Sequence, residues 1–389
     1  MTTLWDTTGS AVVKELAAQR RTGGAVMSGV ALTLVVIADE SRVAEAGQAA
    51  TAAAEVHPCR LLVVVRRQVD APAPRLDAEV LIGGRLGPGE AVVMRMYGRL
   101  GLHAESVVLP LLAADAPVVT WWHAAAPSRI ETDALGVIAD RRITDCSMAA
   151  DPLVGLRERG ADYAPGDTDL AWTRTTPWRA TLTSTLDSVA GRRGDAVTVR
   201  GGRVEGAPDN ASAQLLAGWI SSRCGCPIEV VDADRKPGAS GVSSVFLSLD
   251  MDEEVRVTAD RKGGAVICQP YRADSTVALP ERGLGELIGE ELRRLDSDEP
   301  YSEALGTATG VTGLAGRPSN REHVWEDPTA AAADRAAGTA QGAAAPAPQV
   351  PEDSQGADEV AETGTHDAGD PHGDHENSSD ADDPATATT

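Results

Sequence analysis

VALTLVVIA (Val30–Ala38), SRVAEAGQAATAAAEV (Ser41–Val56) and CRLLVVVRR (Cys59–Arg67) follow one another almost without a break. The first and third are β-branched apolar runs too short for helices, the mark of strands buried on both faces. The middle stretch is Ala-rich and predicts a helix with Ser41 at its cap, stopped by His57–Pro58. Strand, helix and strand in this order make a parallel βαβ unit with a right-handed crossover. That unit sets the first half of the chain as α/β.

Working outward, AVVKELAAQR predicts an earlier helix capped by Thr8 or Ser10 and ending near Gly23–Gly24. RLDAEVLIGG and GEAVVMRMYG read as antiparallel strands around a Gly87–Pro88–Gly89 turn, and GLHAESVVLPLLAAD as a helix broken near Pro110. APVVTWW and ADRRITD are further strands, and TPWRATLTSTLDSVA is a helix with Pro177 in its first turn. From Gly194 a second pattern begins. AVTVRGG, PIEVVDA, VSSVFLSLD, EEVRVTAD and GGAVICQPY predict strands, and a helix with Asp209 as cap covers the residues up to Cys224. GLGELIGEELRRLDSD and EPYSEALGTAT predict closing helices. The expected architecture is an α/β domain over residues 1–190, a smaller α+β domain with a mixed sheet over 191–315, and a disordered acidic low-complexity tail over 316–389.

The length of 389 residues fits two domains. The net charge of −23 comes largely from the end, where Glu326 to Thr389 holds 15 acidic residues against the single base Arg335. A mildly acidic body offers no footprint for phosphate backbones and argues against nucleic acid. The longest apolar run is shorter than the roughly 20 residues a membrane helix needs, and no secretory signal opens the chain. Five scattered cysteines fit a reduced cytoplasmic protein better than a disulfide scaffold.

Motifs for chemistry are sparse. GGRLGPG and TGVTGLAG lack the spacing of phosphate cradles and read as turns. GASGVSS is not a nucleophile elbow and reads as a connection. His57 beside Cys59 could form a Cys–His pair, but a stopped helix followed by a buried strand thiol accounts for both. Cys224-Gly225-Cys226 could bind a soft metal or cycle with a disulfide, with a helix end as the plain alternative. His366, His372 and His375 read as low complexity. No cofactor or metal is expected.

The concentration of unusual residues lies in YAPGDTDLAWTRTTPWR, Tyr163 to Arg179, in a chain with only seven Trp, four Tyr and one Phe. Trp, Tyr and Arg dominate the energetics of protein interfaces. Tyr163, Trp172, Arg174, Trp178 and Arg179 are therefore candidate interface or interface-supporting residues, with Asp167 and Asp169 orienting the arginines. Trp121 and Trp122 alternate on a strand, so one is expected to fill the core and the other, taken as Trp122, to meet a partner. A core segment with internal ion pairs is the competing account.

Six segments then carry a resemblance: HPCR (His57–Arg60), PRLDAEV (Pro74–Val80), SVVLPLL (Ser106–Leu112), DAPVVTWW (Asp115–Trp122), RRITD (Arg141–Asp145) and GDTDLAWTRTTPWR (Gly166–Arg179). Together they resemble the actinobacterial glucose-6-phosphate dehydrogenase assembly proteins of the OpcA family, over about residues 1–310. The resemblance implies a non-catalytic partner that promotes assembly or activation of the dehydrogenase opening the oxidative pentose phosphate pathway. Catalytic and NADP-binding residues would then belong to the partner. The acidic end lies beyond the residues that carry the resemblance. The alternative is a sugar-phosphate sensor or enzyme in which Arg141, Arg142 and Arg174 line an α/β pocket beside a titratable base.

Overall fold

The computed structural model describes residues 1–22, 30–83, 89–232, 241–260 and 262–325. The Gly23–Gly24 helix end, most of the Gly87–Pro88–Gly89 turn, part of GASGVSS, and the acidic stretch with its three histidines lie outside them. The first half contains β1 (Thr2–Leu4), α1 (Gly9–Thr22), β2 (Leu32–Ala38), α2 (Val43–Val56), β3 (Cys59–Arg67), β4 (Arg75–Ile82), β5 (Glu90–Tyr97), α3 (Glu105–Val108), β6 (Val118–His123), α4 (Ala134–Val137), β7 (Arg141–Thr144), α5 (Pro152–Asp162), β8 (Asp167–Asp169) and α6 (Leu170–Thr173). The second contains α7 (Thr176–Arg193), β9 (Val199–Gly206), α8 (Ala211–Cys224), β10 (Ile228–Val231), β11 (Val242–Leu249), β12 (Glu254–Ala259), β13 (Gly264–Gln269), β14 (Arg272–Ala278), α9 (Leu284–Arg293) and α10 (Glu299–Thr309).

The strands form an eight-stranded sheet in the order β1-β4-β5-β3-β2-β6-β7-β8 and a six-stranded sheet in the order β10-β9-β11-β12-β13-β14. In the first, β5 through β8 run parallel while β4 pairs antiparallel with β5 and β1 with β4. Every residue of β2 is buried. Its alternate side chains feed two separate cores. Val35 and Ile37 join Leu62, Val64 and Met94 under α1, while Leu34 and Val36 join Leu61 and Val63 under α2 and α9. Each fully buried Val or Leu of this kind stabilises the fold by roughly 1.5–3 kcal/mol.

The central βαβ unit therefore forms as the sequence predicts, with one difference. Ser41 does not cap α2, because Glu40–Arg42 make a preceding 3-10 turn and no side chain caps the helix. Thr8 does cap α1, accepting from the Ala11 N–H at 3.3 Å. At α8 the cap is Asn210, one residue beyond the expected Asp209, accepting from the Ala213 N–H. The predicted helix through Pro110 is only the short α3 followed by a 3-10 turn.

The second sheet is covered on one face by α7 and α8, through Leu182, Val189, Leu216 and Ile220 against Val204, Val245 and Val257. On the other face Phe246 lies between two guanidiniums, Arg203 at 3.7 Å and Arg256 at 4.5 Å from its ring centre. β14 escaped the sequence reading because RADSTVA has no apolar alternation. It is an edge strand, exposed at most of its residues. The closing helices do not stay with this sheet. Leu287, Ile288 and Leu292 of α9 cross back to complete the first sheet's second core, and α10 packs on α8. Among the described residues no helix is long and apolar enough to cross a membrane.

The α8–α10 contact sets a test of packing against propensity. A Cβ at Gly218 would stand 2.4 Å from the Ala304 carbonyl oxygen, whereas one at Gly47 in α2 would meet nothing within 4 Å. Gly47→Ala is expected to raise the melting temperature, by up to about 1 kcal/mol of helix propensity. Gly218→Ala should lower it, because overpacking costs about 1–3 kcal/mol. Equal shifts in the two variants would contradict the close approach.

Candidate partner-binding site

GDTDLAWTRTTPWR forms β8, α6 and the first turn of α7, and it sits where the two sheets meet. Its tryptophans are buried, Trp172 1% exposed and Trp178 7%, as is Tyr163 just before it, at 4%. The Trp172 indole N–H donates to Asp298 Oδ2 at 2.8 Å, and the Arg179 guanidinium lies 3.6 Å from the centre of its ring. Thr173 Oγ1 donates to Glu291 at 2.6 Å, Thr176 Oγ1 to Glu290 at 2.8 Å, and Ser212 Oγ to the Ala171 carbonyl at 2.8 Å. The segment thus ties β8 to α8, to α9 and to the start of α10. In this conformation these tryptophans are internal fasteners.

The two aspartates do not orient Arg174 and Arg179. Asp169 is fully buried and accepts from Thr144 Oγ1 at 2.6 Å, from the Cys146 N–H and, as the cap of α6, from the Ala171 N–H. Asp167 pairs with Arg142 and with Arg321, the latter at 2.5 Å. Arg174 instead makes a two-pronged pair with Asp145 at 2.8 and 2.6 Å. Arg179 donates to Thr175 and Thr176, and burial lowers its pKa to about 10. The sequence reading matched charges by proximity along the chain, whereas the parallel sheet brings the C-terminal end of β7 beside α6.

The other predicted residues fall as follows. Trp121 and Trp122 do point to opposite faces, but both faces are core, and neither side chain is more than 1% exposed. The Trp122 ring is thus enclosed by the first core, and its N–H faces Asp133 at 3.4 Å. Arg141 and Arg142, adjacent on β7, diverge to Glu291 and Asp167. With Arg174 on Asp145, the three arginines do not converge on a pocket. Burial pushes the Cys59 thiol up to about 12 and raises the pKa values of Cys224 and Cys226. Among the described residues no three His, Cys, Asp or Glu side chains gather as metal ligands.

Sequence reasoning missed the arm that follows α10. Arg317 Nη1 donates to the Ala161 carbonyl at 2.9 Å, and Arg321, 6% exposed in its side chain, joins Asp162 and Asp167. With α5 the arm walls a cleft of about 860 Å³ lined by Arg129, Asp162, Tyr163, Arg317 and Arg321. Apolar periodicity does fade after Gly316, but residues 317–325 are held by the ion pairs of Arg321 and by hydrogen bonds of Arg317 and Val324 to backbone carbonyls, which leave no periodic signal. The exposed tryptophans of the described residues are Trp5 and Trp325.

Fold and junction define a two-sheet α/β protein whose most distinctive segment fastens one sheet to the other. The chain belongs to the OpcA family of glucose-6-phosphate dehydrogenase subunits, whose N-terminal domain matches residues 50–161 and whose C-terminal domain matches residues 165–305. No curated protein matches the chain. A solved structure, an oxidoreductase from Sinorhizobium meliloti, is similar over 77% of this chain and 100% of its own, at 10% identity and a TM-score of 0.38. So low a score supports no argument.

Two variants test the junction. Asp167→Ala leaves the Arg142 and Arg321 guanidiniums buried without this carboxylate and is expected to cost about 3–5 kcal/mol in denaturant unfolding. Burial, and after it the Asp145 carboxylate, raises the pKa of Asp169. A carboxyl whose folded pKa exceeds its unfolded value of about 3.9 loses stability for the fold as pH rises and it must ionise. Asp169→Asn should therefore gain on the wild type in unfolding free energy as pH rises above about 4. A pH-independent difference would show that Asp169 ionises as freely as in the unfolded chain.

Proposed function

We propose that the chain is a non-catalytic subunit that binds glucose-6-phosphate dehydrogenase and promotes its assembly or activation. The observation that carries this reading is the pair of family matches, over residues 50–161 and 165–305, which take in six of the eight strands of the first sheet and all of the second. The reaction chemistry and the nicotinamide cofactor are assigned to the dehydrogenase. The subunit acts by differential affinity: it binds one oligomeric or conformational state of its partner better than another, and a coupling of about 1–3 kcal/mol shifts affinity roughly 5- to 150-fold.

In this reading Trp122, Tyr163, Trp172, Trp178, Asp167, Asp169 and Arg179 support the binding surface from within. Arg174 has access to solvent, its side chain 35% exposed while bonded to Asp145. The alternative, a sugar-phosphate site, draws no support from the divergent pairing of Arg141, Arg142 and Arg174.

The test is to mix the protein with its host's dehydrogenase, follow complex formation by size exclusion, and assay the enzyme. A complex with a changed KM, kcat or oligomer size is expected, and no complex with unchanged kinetics would refute the reading. Within a working complex, Trp178→Ala should lower the melting temperature of the subunit alone, a cost of about 3–5 kcal/mol. Arg174→Lys, which keeps a cation beside the buried Asp145 carboxylate, should leave that temperature within a few degrees while weakening the complex.

A further inference from the structure

The two exposed tryptophans differ in how they are held. Trp5 is 69% exposed at the end of the edge strand β1. Trp325 is half exposed, yet its ring is stacked on His103 with centres 4.8 Å apart and planes 7° from parallel. The N–H of its neighbour Val324 donates to the Glu131 carbonyl at 2.9 Å. Four residues earlier Arg321 is locked between Asp162 and Asp167, and before that Arg317 donates to the carbonyls of Gly160, Ala161 and Tyr163. Val324 and Val69 add exposed apolar surface, Val69 lying against Gly101 two residues before His103. From Glu326 the sequence turns at once to 15 acidic residues against one base.

We propose that Trp325, presented by this arm, is the docking anchor for the dehydrogenase, a proposal that rests on the functional reading above. A solvent-facing indole fixed before binding loses little freedom when it enters a partner's pocket, and tryptophan is enriched among the residues that carry interface energy. The acidic sequence that follows selects the surroundings of that pocket: an apolar slot with a basic rim, approached faster because opposite charges attract over the Debye length. Arg317 and Arg321 are positioning residues. Through Arg321, the Asp167 of GDTDLAW acts on binding without touching the partner.

The experiment uses immobilised dehydrogenase and the full-length protein as wild type, Trp325→Ala, Trp325→Tyr and Trp5→Ala, each checked for an unchanged melting temperature. Trp325→Ala should weaken binding about 30-fold, mainly through faster dissociation. Trp325→Tyr should recover part of the loss, and Trp5→Ala should stay within about threefold of wild type on the same scale. Raising salt from about 50 to about 300 mM should slow association of wild type and Trp325→Ala alike. If the wild type binds and Trp325→Ala binds equally well, the anchor is refuted and the functional reading stands. If the wild type itself fails to bind, the functional reading fails instead. Loss of self-association in Trp325→Ala, with dehydrogenase binding intact, would also overturn the proposal by assigning the patch to a second copy. Salt-independent association would remove the acidic segment's part in it.

Discussion

Asp167 is the group on which the junction turns. It stands at the start of β8, accepts from the Ala164 N–H at 2.9 Å, and holds two guanidiniums at once, Arg142 from β7 and Arg321 from the arm. Removing a carboxylate from such an arrangement strands charge in a low-dielectric interior, which is why buried pairs are costly to break even when they contribute little net stability. β8 has only three residues and pairs with β7 alone. Ion pairing therefore does there what a longer strand would do by backbone bonding.

A second consequence is the division of labour among charges. Arg66 with Asp133, Arg141 with Glu291 and Arg174 with Asp145 each close a separate circuit, in which one partner is nearly or fully buried. At Asp133 burial pushes the carboxyl up, but the Arg66 guanidinium together with the Leu135 and Trp122 N–H groups holds it below its usual pKa, whereas Asp169, with no guanidinium on it, is pushed up. An arginine content that looks suited to anions is in large part consumed by the protein's own carboxylates.

Short unbroken apolar runs made the first sheet legible. VALTLVVIA and CRLLVVVRR can only be strands buried on both faces, and the Ala-rich stretch between them has the small side chains that let α2 lie close on the sheet. β14 and the arm were not legible, since neither buries a periodic apolar face. At the site, the sequence singled out the right segment and misplaced its role. The density of Trp and Arg in GDTDLAWTRTTPWR is equally what an interface or an internal joint requires, and only the burial of Trp172 and Trp178 separates the two. The pairing of Arg174 with Asp145 depended on a parallel neighbour strand, which no local spacing reveals.

The return of α9 to the first sheet has a kinetic meaning. Leu34, Val36, Leu61 and Val63 are synthesised early, but Leu287, Ile288 and Leu292, which share their core, emerge only after the whole second sheet has been made. During synthesis the first sheet therefore carries an unfinished apolar face for most of the chain's length. Such long-range closure is slow and leaves partly folded chains open to association. The two halves of this protein are thus one cooperative folding problem, in which the last helices decide when the first strands are finished.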